Sequence, residues 1–60
     1  KIEEACQSLC RLADRLGVVV RADMNDVELL VYPGDRPGSL ELAYRRAQDA
    51  GSTCAVAWDV

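Results

Sequence analysis

Sixty residues make one domain at most, and a chain this short buries only about 60% of the surface its unfolded form exposes. Half of the residues are hydrophobic, enough for one small core and too many for a disordered tail. Seven basic residues against ten acidic ones leave a net charge of −3; with Lys1 as the single lysine and no basic stripe, direct binding of DNA or RNA is not expected.

Ile2 to Leu16 reads as an amphipathic helix. Ile2, Ala5, Leu9, Leu12 and Leu16 recur at helical spacing, Cys6 and Ala13 widen the stripe, and Glu3, Glu4, Gln7, Arg11, Asp14 and Arg15 take the wet side. Glu3 and Glu4 suit the positive end of the helix dipole and Arg15 the negative end. Gly17 is placed to stop the helix in a left-handed conformation. This segment is too charged to be the apolar region of a signal peptide, and no stretch approaches the ~20 apolar residues that span a bilayer, so the cytoplasm is the expected compartment. The first residue is Lys1, so either an initiating residue was removed or the chain is a piece of something longer.

Val18 to Asp23 is short and β-branched and reads as a strand, followed by a second over Val27 to Tyr32. A two-residue loop over Met24-Asn25 sets Val20 opposite Leu29, Ala22 opposite Val27 and Arg21 opposite Glu28, with Asp23 facing Asp26. A four-residue loop keeps the faces but sets Asp23 opposite Glu28 and loses the Arg21 pairing, so the shorter loop is expected. Pro33 to Gly38 is the one clear break, too short to be an interdomain linker. Asp35 or Ser39 is placed to cap a second helix, Leu40 to Ala50, with a core stripe of Leu40, Ala43, Tyr44, Ala47 and Ala50. Glu41 with Arg45, and Arg45 with Asp49, are spaced as ion pairs. Gly51 ends the helix and Thr53 to Asp59 reads as a third strand.

The expected fold is α+β, a two-layer sandwich in the order helix-strand-strand-helix-strand, with a three-stranded, mainly antiparallel sheet and both helices on one face. A right-handed crossover that seats strand three beside strand one gives the order 2-1-3. Val18, Val20, Val27, Leu29, Val31, Cys54, Val56 and Trp58 then face the helices. Val19, Leu30, Tyr32, Ala55 and Ala57 face outward, where no element of the chain remains to cover them.

Three surfaces are candidates for binding. The first is that outer sheet face, Val19, Leu30, Tyr32, Ala55 and Ala57, ringed by Arg21, Asp23, Glu28 and Asp59, an apolar centre with a charged rim. The second is acidic: Asp23, Asp26 and Glu28 at the hairpin tip, with Asp35 and Asp59 near the opposite end of the sheet. Such carboxylates can imitate a phosphate backbone and occupy a basic groove, although they also serve simply to keep a small domain soluble. The third is Leu42 beside Arg45 and Arg46, on the helix face opposite Leu40.

Catalytic chemistry is not expected. The chain has no histidine, and Ser8, Ser39 and Ser52 have no visible base. Gly34 to Ser39 lacks the lysine and the glycine spacing of a phosphate loop. Cys6 and Cys10 lie four apart on one helix, where a bridge is strained, and three cysteines make an odd number for a disulfide framework. Cys6, Cys10 and Cys54 therefore read as reduced thiols packed as small hydrophobes, without a metal or cofactor.

The general profile resembles that of the small acidic inhibitors carried by bacteriophages, of which the anti-CRISPR proteins are the best-known group: short, single-domain, cysteine-unbridged, cytosolic α+β chains without catalytic equipment. The resemblance lies in general character, so no binding residue is carried over from it. It implies a protein partner, a nucleic-acid-handling complex whose DNA site is blocked. The alternative expectation is a homodimerising structural subunit or a regulatory module of a larger protein, paired through sheet faces or edges.

Overall fold

The computed structural model describes residues 1–59, and of Asp59 the backbone alone. The elements run α1 (Ile2–Leu16), β1 (Val20–Met24), β2 (Val27–Val31), α2 (Pro37–Ala50) and β3 (Cys54–Val56), and a single 3-10 turn, Ala57–Asp59, follows. Both helices pack on one face of a three-stranded sheet, so the architecture is the expected two-layer α+β sandwich. The sheet is mixed, not mainly antiparallel as expected: β1 and β2 are antiparallel, and β3, seated beside β2 and not β1, is parallel to it.

α1 has the bounds its periodicity predicts. It ends because Gly17 adopts φ 68° and ψ 26° and its N–H donates to the Ala13 carbonyl at 2.8 Å, satisfying a carbonyl left over at the helix end. The buried side of α1 is narrower than its apolar stripe. Cys6, Cys10 and Ala13 are buried, whereas Leu12 and Leu16, expected in the core, are 41% and 56% exposed. The helix is turned toward α2: Asp14, on one margin of the buried stripe, accepts a hydrogen bond from the Gly34 N–H in the loop that leads into α2 (2.6 Å). The opposite margin, with Leu12 and Leu16, faces away from α2.

The hairpin closes on Asn25-Asp26 and not on Met24-Asn25. Both turn residues take positive φ, 48° and 67°, the pattern of a two-residue mirror-image turn whose twist suits the flanking strands. Asparagine and aspartate tolerate that conformation better than other side chains. The register is therefore Val20 with Val31, Ala22 with Leu29 and Met24 with Val27, displaced by two residues from the expected one. A displacement of two keeps every side chain on its face. Asp23 does stand opposite Glu28, yet the Arg21 pairing is not lost, because Arg21 reaches Glu28 diagonally with Nε–Oε2 at 2.9 Å.

The strand order is β1-β2-β3 and not 2-1-3. β2 is the strand suited to the centre. Val27, Leu29 and Val31 are all buried beneath the helices, and its other face carries Leu30 and Tyr32. β1, with Arg21 and Asp23 on its outer face, takes an edge.

The connection before α2 is a type II turn. The Asp35 N–H donates to the Tyr32 carbonyl (3.0 Å), Pro33 supplies the first central position, and Gly34 takes φ 90° at the second. The Asp35 carboxylate accepts the Tyr32 N–H at 2.8 Å, so Asp35 closes this turn and does not cap α2. Neither does Ser39: the N-cap is Arg36, without a side-chain bond, and α2 begins three residues earlier than expected because Pro37 at its first position is already held at a helical φ. Leu40, Ala43, Tyr44 and Ala47 are buried as the stripe predicts, and Ala50 is exposed at the end of the helix.

β3 is shorter than expected and its parity is the reverse. Ala55 and Ala57 are buried in the core, and Cys54, Val56 and Trp58 face outward or stand at the margin. The parity is fixed by the register against β2: Ala55 stands beside the buried Leu29 and Val56 beside the outward Leu30, so Ala55 shares the helix-side face of Leu29. Trp58 lies beyond the strand, in the 3-10 turn.

Candidate functional site

The sheet face turned away from both helices is the candidate site, with a membership that differs from the expected one. Of the predicted outer residues, Leu30 and Tyr32 are there, half-buried, and Val19 and Arg21 are exposed beside them. Ala55 and Ala57 are removed to the core. Their places are taken by Cys54, Val56 and Trp58, which were expected to point inward.

The exchange makes the face more apolar. Leu30 on β2 stands directly beside Val56 on β3, and Glu28 beside Cys54. Tyr32 and Trp58 meet edge to face, ring centroids 6.0 Å apart at 68°, a favoured geometry for aromatic pairs. Trp58 is nevertheless 66% exposed, the most exposed large apolar side chain of the described residues. Its signal in the sequence was present but ambiguous: a lone tryptophan in an expected strand over Thr53 to Asp59 reads as core by parity, whereas the strand ends at Val56 and Trp58 lies in the 3-10 turn that follows.

The rim is charged and partly neutralised. Arg21 and Glu28 form their ion pair across the β1–β2 boundary of this face. Of the five carboxylates predicted as an acidic surface, Asp23 and Asp26 are exposed at the hairpin tip, Glu28 is bound to Arg21, and Asp35 is taken up by the backbone of its own turn. The side chain of Asp59 lies outside the described residues. Of the four whose side chains are described, only Asp23 and Asp26 are exposed, together at the hairpin tip.

The helical candidate also divides. Leu42 is exposed, and Arg45 folds back on Glu41, with Nη2 2.8 Å and Nε 3.0 Å from one carboxylate oxygen. Leu42 and Arg45 line a shallow depression with Gly38, whereas Arg46 borders a separate groove between α2 and β3.

Cys6 and Cys10 are buried side by side on α1, and Cys54 is exposed. Burial, with smaller contributions from Cys10 and Glu41, pushes the Cys6 thiol from its ordinary 9.0 up to about 11. Burial also raises Cys10, with Asp35 and Asp14 adding to the shift. Both helix thiols are therefore neutral at physiological pH and poor nucleophiles. Because the folded state holds the Cys6 proton more tightly than the unfolded chain, this contribution to stability is complete below about pH 9 and is lost as pH rises through about 11. A denaturation series across that range should show a falling midpoint, and a thiol reagent at neutral pH should label Cys54 rapidly and the helix thiols only on unfolding. Equal labelling of all three in the folded protein would contradict this packing.

Among the described residues, no group of three or more Cys, Asp or Glu side chains is placed to hold a metal ion, and no helix is long and apolar enough to cross a membrane. Compared with family models, with curated proteins and with solved structures, the chain matches none.

Proposed function

We propose that this protein is a non-catalytic binding module that recognises another protein through the uncovered face of its sheet. The observation that carries the reading is the apolar set Leu30, Val56 and Tyr32 on the outer sheet face, extended by Trp58, which meets Tyr32 from the 3-10 turn after β3 and is two-thirds exposed. Tryptophan and tyrosine beside a charged margin are common anchors of a protein interface. The lack of histidine and the raised helix thiols support a role without catalysis. The sharper form of the proposal is an inhibitor of a nucleic-acid-handling complex, in the manner of the phage inhibitors. It rests on Asp23 and Asp26, which add a negative tip beside the apolar face and suit a partner with basic side chains around an apolar patch.

The test is affinity capture from a lysate of the source organism, comparing the native chain with Trp58→Ala, Leu30→Glu and, on the opposite layer, Leu42→Glu. Proteins retained by the native chain and by Leu42→Glu but lost with the two sheet-face variants support the reading. Capture that is indifferent to Trp58 and Leu30 overturns it. Reversal of charge at Asp23 and Asp26 should weaken the same capture if the acidic tip takes part.

A further inference from the structure

We propose that the protein forms a two-fold dimer by pairing the free edge of β1 with the same edge of a second copy. This is independent of the apolar sheet-face reading, since edge pairing leaves Leu30, Val56, Tyr32 and Trp58 open; it engages Asp23 and leaves Asp26 as the free carboxylate of the hairpin tip.

β1 is five residues long and has β2 on one side only. In a two-residue hairpin the residues flanking the turn, Met24 and Val27, exchange backbone hydrogen bonds. Alternation along the strand then directs the amides of Met24, Ala22 and Val20 toward β2 and those of Arg21 and Asp23 outward. The outward groups are a ready template for another strand.

The side chains select the partner. When β1 pairs antiparallel with its own copy about Ala22, Arg21 of one chain stands opposite Asp23 of the other, twice, and Val20 stands opposite Met24 on the helix side. Ala22 meets Ala22 on the axis, the smallest pair at the closest approach. Sliding the register by two residues in either direction sets Arg21 against Arg21 or Asp23 against Asp23, so the complementary register is unique. The pairing also answers a local deficit. Within one chain Asp23 faces Glu28, and the nearby cation, Arg21, is engaged by Glu28; among the described residues no cation bridges Asp23.

The helix layer agrees. α1 packs against β1, β2 and α2, while α2 lies over β2 and β3, so the α1 margin turned away from α2 is on the side of the β1 edge. That margin carries Leu12 and Leu16, and Val18, 51% exposed, precedes the strand beside it. A two-fold axis normal to the sheet keeps both helix layers on one side and brings the two leucine margins together, a covering that no other element among the described residues supplies.

Sedimentation equilibrium on the whole chain at about 0.1 mM should give a dimer. Arg21→Asp and Asp23→Arg each place like charges opposite one another twice and should weaken association about tenfold or more. Mixing the two variants in equal amounts restores opposite charges at both positions, and a heterodimer should form. The double variant, which exchanges the two charges within one chain and restores an attraction to Glu28, should dimerise like the native protein, and it keeps the test decisive if a single variant fails to fold. A native protein that is monomeric at this concentration overturns the proposal. So do single variants that dimerise undiminished, or two folded single variants whose mixture stays monomeric.

Discussion

Replacing Leu29 with alanine should cost roughly 4 kcal/mol and leave little folded protein at room temperature. Leu29 is fully buried at the centre of β2, and its neighbours across the sheet are Ala22 on β1 and Ala55 on β3. Leucine here fills the space that two flanking alanines leave open. The substitution makes a row of three alanines beneath the helices, with no large neighbour in the row to collapse into the gap, and poor collapse places a cavity at the expensive end of the range. A domain of 60 residues has only about 3–9 kcal/mol of stability in total, so a loss of this size is decisive. Leu29→Met, which conserves volume, should cost less than about 1.5 kcal/mol. Urea midpoints of the two variants measure the difference, and an alanine variant as stable as the methionine one would show that this row is not the tightly packed centre of the core.

Tyr44 carries the second large effect, and its two parts are separable. The ring is buried on α2 and its hydroxyl accepts a hydrogen bond from Asn25 Nδ2 at 2.7 Å, tying the helix to the hairpin tip 19 residues away in sequence. Tyr44→Ala removes ring and bond together and should cost roughly 3–5 kcal/mol. Tyr44→Phe removes only the bond. The Asn25 side chain is exposed and can turn to water, so the loss should be about 1 kcal/mol. If phenylalanine costs as much as alanine, the stability at this position lies in the hydroxyl and not in packing. An unchanged denaturant slope in both variants would confirm that the difference is one of stability alone.

The arrangement of the candidate site follows from where apolar surface is left over. Two helices of this size roof one face of three short strands, and the other face keeps Leu30, Val56, Tyr32 and Trp58. That a second apolar face would exist was legible in the chain, because Leu30 and Tyr32 fall on the parity opposite to Val27, Leu29 and Val31 and two helices roof only one face. Half of its membership was not legible. β3 is three residues long, with apolar side chains on both parities, so period-two alternation has no polar residue to set its direction. Apolar size was a poor guide as well, since in β3 and the turn after it the alanines Ala55 and Ala57 are buried while Val56 is half-buried and Trp58 exposed.

By itself, the sequence determined the elements whose signals are local. The 3.6-residue period and a left-handed glycine set the ends of α1, a second glycine ends α2, and Pro33-Gly34 sets the turn between β2 and α2. It also determined the order of elements and the two-layer class. The tertiary structure alone decided the rotation of α1 toward α2, the hairpin register, the central place of β2 and the inward turn of Ala55 and Ala57. Each of these depends on how closely two surfaces distant in the chain can approach, and that distance is set by the side chains of both partners at once, which no single segment encodes.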